Sequence, residues 1–129
     1  MFENNVFVEG SCRNVEEDGK IIGYEMETYI TYYRGIPLSM VNHIKVETDG
    51  VEVPRENIRF TPDHIDWFTL DEMETVAGIK WEYDQKATVR VLQEGGLPKG
   101  NHKVCLTVCT RTAYIPFPLE GIVTREVTI

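Results

Sequence analysis

Lys86-Ala-Thr-Val-Arg-Val-Leu-Gln-Glu94 and His102-Lys-Val-Cys-Leu-Thr-Val-Cys-Thr-Arg111 stand on either side of Gly95-Gly96-Leu97-Pro98-Lys99-Gly100. Both outer runs alternate with period two. Ala87, Val89 and Val91 share one side, with Thr88 and Arg90 on the other. Val104, Leu106 and Val108 share a side, with Lys103, Thr107 and Arg111 opposite. Side chains on a strand alternate between faces, so both runs read as half-buried strands. The glycines tolerate positive φ and the proline fixes its own, so the stretch between them reads as a turn. Together they are expected to form the central antiparallel hairpin of an all-β domain.

Working outward, residues 5–13 are expected to form a first strand, and Glu16-Glu-Asp-Gly19 a tight turn. A long strand should run from Lys20 to Tyr33, with Tyr24, Met26, Thr28, Ile30 and Tyr32 facing the core. Residues 41–53 read as a second hairpin around Asp49-Gly50, because Asp-Gly adopts the left-handed backbone that two-residue hairpins need. Ile58-Arg-Phe60 and Ile79-Lys-Trp-Glu-Tyr83 are further short strands, and Ile122 to Ile129 a last one. Thr69-Leu-Asp-Glu72 matches a helix capping box, with Leu70, Met73 and Val76 on one face of a short helix ending near Gly78. The sum is about eight short, mostly antiparallel strands without α/β alternation, which predicts a β-sandwich with at most one short helix.

The chain has 129 residues, so residues 1–129 are expected to form one domain that buries a core without disulfides. An apolar fraction of 42% argues against disorder. The net charge of −8 and the lack of a basic stripe argue against nucleic acid and anionic membrane surfaces as partners. Cys105 and Cys109 would lie about 13 Å apart on one strand, too far for a bridge. With Cys12 they are expected to be three reduced thiols in a cytoplasmic protein. Met1-Phe-Glu-Asn-Asn5 shows no basic segment followed by an apolar one, so no secretory signal is expected. No apolar run approaches the roughly 20 residues of a membrane helix.

Candidate chemistry is sparse. His43, His64 and His102 are far apart and lack metal-motif spacing, so no metal site is expected. Asp63-His64-Ile65-Asp66 is either an acid–base or metal site or a solvated loop, and four adjacent residues rarely converge on one point unaided. Asp71 and Glu72 suit the first turn of the helix. Gly95-Gly96 opens no helix and is no phosphate loop, and no Ser or Cys stands in a nucleophile elbow. Two stretches stand out: Tyr32-Tyr33-Arg34-Gly35-Ile36-Pro37 and Arg111-Thr-Ala-Tyr114-Ile-Pro116-Phe117-Pro118. Each ends a strand with Tyr and Arg and enters a rigid apolar loop. Tyr and Arg are enriched at interface hot spots, and proline loops lose little entropy on docking. Tyr33, Arg34, Ile36, Pro37, Arg111, Tyr114, Pro116 and Phe117 are therefore candidates for a partner interface or pocket mouth. The alternative is that these loops fill the open end of the sandwich.

The ordered set Tyr33-Arg34-Gly35-Ile36-Pro37-Leu38-Ser39, Asp49-Gly50, Trp81, Gly95-Gly96-Leu97-Pro98-Lys99-Gly100-Asn101-His102 and Arg111-Thr-Ala-Tyr114-Ile115-Pro116 resembles the small (β) subunit of bacterial C-glycoside deglycosidases. The resemblance runs from about Val6 to the C-terminus. It implies a lyase that cleaves the carbon–carbon bond between a sugar and a flavonoid-type aglycone. The sugar is first oxidised at its 3-position by a separate enzyme; a base then removes the acidified C2 proton and the aglycone leaves by elimination. It further implies a large (α) subunit with a TIM barrel and a divalent metal, often manganese, which would polarise the ketone. The β subunit would be a β-sandwich in a hetero-oligomer with no cofactor and no catalytic residue of its own. Two other readings remain. One is a stand-alone binding module for a carbohydrate or protein ligand, with Trp67, Trp81 or surface tyrosines as a stacking platform. The other is an enzyme built on Asp63, His64 and Asp66.

Overall fold

Two Asp-Gly pairs set the local geometry. Asp18 and Gly19 have φ of 53° and 80°, and Asp49 and Gly50 have φ of 52° and 84°. Successive left-handed residues turn a chain through the twist that antiparallel strands require. In the computed structural model, which describes residues 6–30, 35–76, 78–82, 85–111 and 119–129, each pair joins two strands. In chain order the strands are β1 (Arg13–Glu17), β2 (Lys20–Thr28), β3 (Ile36–Pro37), β4 (Val41–Thr48), β5 (Val51–Glu52), β6 (Ile58–Thr61), β7 (Phe68–Thr69), β8 (Lys80–Trp81), β9 (Ala87–Leu92), β10 (Asn101–Thr110) and β11 (Leu119–Thr128). Four of them, β3, β5, β7 and β8, are two residues long. A single helical turn, α1 (Leu70–Met73), carries the expected capping box: Glu72 N–H donates to Thr69 Oγ1 at 3.1 Å and Thr69 N–H to Glu72 Oε1 at 2.8 Å.

The strands make two antiparallel sheets, β1-β2-β9-β6-β7 and β11-β10-β4-β5, with β3 and β8 as a separate pair. Period-two burial decides which faces meet. Tyr24, Met26, Ala87, Val89, Val91, Ile58 and Phe60 come from the first sheet. Ile44, Val46, Val104, Leu106, Val108 and Val127 come from the second, and all lie in one core. Tyr24 Oη and Thr48 Oγ1 hydrogen-bond at 2.7 Å between the sheets. The fold is an all-β sandwich. Trp81 is fully buried and meets Phe60 edge-on, with centroids 5.2 Å apart, while its indole N–H donates to the Gln85 carbonyl at 2.9 Å.

One expectation is overturned. The runs flanking Gly95–Gly100 do not pair with each other. β9 lies between β2 and β6, and β10 between β4 and β11, so the chain crosses from one sheet to the other. Alternation fixes which face of a strand is buried, and both runs bury the face expected. It does not fix which sheet a strand joins, and a Gly- and Pro-rich stretch of this length serves a hairpin or a crossing equally. The crossing is tied to both sheets. Gly95 N–H donates to the Ile21 carbonyl in β2, and Gly100 exchanges both backbone hydrogen bonds with Ile129 beyond β11. Leu97, 4% exposed, enters the core between them.

Three smaller differences have local causes. The first strand begins at Arg13 rather than residue 5; Val6 and Phe7 are buried without joining a sheet, held by Val8 N–H to Glu27 O and by Arg125 Nε–H to Phe7 O. β2 ends at Thr28, though Ile30 is still core; residues 31–33 of the expected strand lie outside the described residues. The helix stops at Met73 rather than near Gly78, since Leu70 and Met73 already bury its apolar face.

Candidate functional site

Strand direction decides where the two proline-bearing stretches leave the sandwich. The first stretch runs through β3 into a 3-10 turn at Leu38–Met40 and enters β4 at Val41. The second begins where β10 ends, and Thr110 at that end pairs with Val41. Arg111 N–H donates to the Met40 carbonyl at 2.7 Å. Antiparallel register therefore brings the described part of the first stretch and Arg111, the first residue of the second, to one end of the sandwich. Of the expected interface residues, Ile36 is 3% exposed and pairs with Trp81, so it supports the end from within the core. Pro37 is half-buried and Arg111 is exposed. Tyr33, Arg34, Tyr114, Pro116 and Phe117 lie outside the described residues.

The same end carries a side-chain cluster that the sequence did not reveal. His43 of β4 pairs with Cys109 of β10, and Cys109 pairs with Glu120 of β11. Side chains directly opposite on one face of neighbouring strands come close together. Among the described residues, one ligand atom each from His43, Cys109 and Glu120 lies within 4.8 Å of the other two, and His43 Nε2 is 3.4 Å from Glu120 Oε2. A β-bulge interrupts the β4–β10 register between Cys109 and Thr110. Bulges re-aim side chains and gather beside functional sites. Here the extra residue is on β4, and Cys109 and Thr110, consecutive in β10, are both buried. An imidazole, a thiol and a carboxylate are the donor types that bind zinc-like cations. No spacing rule finds this group, because its members come together through two strand registers. The signal available was that Cys109 and Glu120 bracket the Pro116–Pro118 stretch.

The other sequence candidates resolve separately. Asp63 Oδ1 accepts hydrogen bonds from Ile65 N–H, Asp66 N–H and Thr61 Oγ1, which hold its carboxyl below the usual carboxylate range. His64, at φ 63°, hydrogen-bonds Thr88 Oγ1 through Nδ1 at 3.2 Å. Asp63 thus folds its own loop and His64 addresses β9, so the three residues do not form a joint acid–base group. His102 sits at the opposite end of the sandwich, beside a cleft of about 610 Å³ lined by Tyr24, Thr48, Asp49, Leu97 and Pro98. Its Nδ1 is 2.7 Å from Asp49 Oδ2 and its Nε2 is 2.7 Å from the Pro98 carbonyl. Both partners are acceptors, so they favour the doubly protonated ring, and the Asp49 carboxylate followed by the Pro98 carbonyl raises the His102 pKa. The two tryptophans differ: Trp67 stays partly exposed. Trp81 is buried, which overturns it as a platform, and the Arg90 guanidinium lies 4.0 Å over the Trp67 ring.

The cysteines are all unbridged thiols. Burial raises the Cys12 pKa to about 11 against the pull of Arg13, which leaves that thiol protonated and unreactive. Among the described residues no helix is long and apolar enough to cross a membrane.

A sequence profile described as C-glycoside deglycosidase beta subunit matches residues 2–114. The chain belongs to the C-glycoside deglycosidase beta-subunit family. One relative, a C-glycoside deglycosidase beta subunit of Eubacterium cellulosolvens, is 27% identical over 115 residues, covering 88% of this chain and 78% of the relative. Membership in a beta-subunit family implies a partner subunit. The matched span contains all of the first proline-bearing stretch and the second as far as Tyr114. In this beta-subunit family chain, then, His43, Cys109 and Arg111 lie within the span that the family profile covers, and Glu120 lies beyond it.

Proposed function

We propose that this chain is the accessory, non-catalytic subunit of a heteromeric C-glycoside deglycosidase, acting beside a metal-dependent TIM-barrel alpha subunit. The substrate class is a 3-oxo-C-glycoside with a flavonoid-type aglycone. The reaction is an elimination: a base takes the C2 proton, the C2 electron pair forms the C1–C2 double bond, and the bond from C1 to the aglycone breaks. The aglycone carbon leaves with the electron pair of that broken bond and takes up a proton. The ketone at C3 makes the first step feasible, and a divalent ion, manganese by the resemblance, would be held by the alpha subunit and stabilise the enolate. The beta subunit would contribute the pocket mouth and the docking surface. On this reading the protein works in the cytoplasm as a single domain within a hetero-oligomer.

The observation that supports the proposal is the match to a beta-subunit family over residues 2–114, together with the bond from Arg111 N–H to the Met40 carbonyl where the described part of the first stretch meets the start of the second. Tyr33, Arg34, Tyr114, Pro116 and Phe117 are assigned to the interface on the strength of their residue types, and Arg111 because it is exposed where the second stretch starts. The binding-module reading loses support, since Trp81 is buried and Arg90 covers a face of Trp67.

Co-expression with a TIM-barrel isomerase-like partner, followed by size-exclusion chromatography with light scattering, tests this. A stable complex that turns over a 3-oxo-C-glycoside only when both chains are present is the expected result. Arg34→Ala, Arg111→Ala and Tyr114→Ala should weaken assembly or turnover. Two separate peaks, with this chain a monomer and turnover independent of it, would refute the proposal.

A further inference from the structure

We infer that His43, Cys109 and Glu120 form a binding site for a divalent zinc-class cation in this chain, separate from any catalytic metal of the partner. The spacing fits. In a tetrahedral zinc site with bonds of about 2.0–2.2 Å to nitrogen and oxygen, neighbouring N and O ligands lie about 3.3 Å apart. His43 Nε2 and Glu120 Oε2 are 3.4 Å apart. The Cys109 sulfur is within 4.8 Å of both, and a thiolate ligand needs about 3.5 Å, so at most about 1.3 Å of side-chain movement completes the set. The His43 and Glu120 side chains are 37% and 46% exposed, which leaves them room for that movement. Cys109 closes the site from beneath at 3% exposure.

The chemistry selects the ion. Coordination requires the thiol to release its proton to solvent and donate a sulfur lone pair. One thiolate and one carboxylate then balance a dication, with neutral imidazole as third ligand and water as fourth. Thiolate and imidazole favour zinc over manganese or magnesium, which prefer oxygen. The ion would join β4, β10 and β11 in one ring of bonds. Cys109 and Glu120 lie on the two strands that flank residues 111–118, and His43 lies just beyond the 33–39 stretch. Metal occupancy thus stiffens the base of both. The inference stands on the geometry alone and does not depend on the lyase reading.

The test uses the full-length chain in whichever assembly it purifies, stripped with a chelator and titrated with cobalt(II), then with zinc. One equivalent of cobalt should produce a thiolate-to-metal charge-transfer band and the visible bands of a tetrahedral site, and zinc should abolish them while raising the melting temperature. Loss of outer-shell partners alone costs 10–100-fold in metal affinity, so His43→Gln and Glu120→Gln should each weaken binding by about 100-fold or more. Cys109→Ser should remove the charge-transfer band, whereas Cys105→Ser and Cys12→Ser should keep it. Because Cys109 is buried and its variant can misfold, the two exposed substitutions decide the case independently. A band that survives His43→Gln and Glu120→Gln, that vanishes in Cys105→Ser, or that never forms in the wild type overturns the site.

Discussion

Asn14 holds the crossing between the sheets, and removing its side chain should cost more than a half-buried asparagine on an outer strand ordinarily does. Its Nδ2 donates to the Leu97 carbonyl at 3.0 Å, and its Oδ1 accepts from Leu97 N–H at 2.8 Å. The two bonds together imitate the pairing of a neighbouring strand and hold Leu97 where its side chain reaches the core. In Asn14→Ala both Leu97 backbone groups lose their partner. A buried polar group left unpaired costs about 1–3 kcal/mol. Asn14 is only half-buried, so water repairs part of the damage, and we expect a total of roughly 2–3 kcal/mol. With a urea slope of about 2 kcal/mol per molar, the unfolding midpoint should fall by about 1 M. Urea titration followed by the fluorescence of buried Trp81 measures this directly. Asn14→Asp keeps the acceptor for Leu97 N–H but sets a carboxylate against the Leu97 carbonyl. Its deficit relative to wild type should shrink as the pH falls and that carboxyl becomes a donor. Leu97→Ala provides the comparison, with an expected loss of about 2–4 kcal/mol for the cavity alone. If Asn14→Ala costs less than about 0.5 kcal/mol, the size of an ordinary surface substitution, the crossing is held by its apolar side chain and the hydrogen-bond argument fails.

Two further tests address charges. His102 has a pKa raised above 6.5 by Asp49 and Pro98, so its contribution to stability is full below about pH 6.5 and declines as the pH rises through the raised value. Asp49, lowered from 3.8 by His102 and then by Lys103 N–H, contributes above about pH 3.8 and loses that as the pH falls through its lowered value. Melting temperature should therefore plateau between these limits, and His102→Gln should remove the alkaline decline; an unchanged pH profile in that variant would refute the assignment. Glu25, 7% exposed, accepts from Arg13 at 2.9 Å and from Arg90 at 3.0 Å, so Glu25→Gln should destabilise by about 1.5–3 kcal/mol in chemical denaturation, while a neutral result would show the network to be dispensable.

The legible parts of this fold were those that local chemistry decides. Asp18-Gly19, Asp49-Gly50 and the Thr69–Glu72 capping box were all readable because a handful of neighbouring residues determine them. The core faces of β2, β9 and β10 were readable from alternation. What could not be read was partnership. Val89 and Val104 carry the same pattern whether their strands lie side by side or in facing sheets, and Leu97 and Asn14 must find each other across 83 positions for the answer to emerge. The same limit hid the cation-ligating group, since His43, Cys109 and Glu120 share a face only through two registers. Glu25 was missed for the opposite reason. It lies on the outward face of β2, where alternation predicts exposure, but the two arginines beside it help bury it.

The crossing also orders events during synthesis. β1–β2, β4–β5, β6–β7 and β10–β11 are near-neighbour pairs along the chain, but every pairing that links one of these hairpins to another runs through β9 or β10. A nascent chain that has reached residue 85 therefore holds only isolated two-stranded ribbons, which are marginal in water. The first sheet cannot be completed until β9 has emerged, and the second until β10 and β11 have. Long-range β pairing of this kind is slow, on the scale of milliseconds to seconds, and leaves strand edges open meanwhile. The interval before β9, β10 and β11 have all left the ribosome is thus the period in which this chain most needs shielding from other copies of itself.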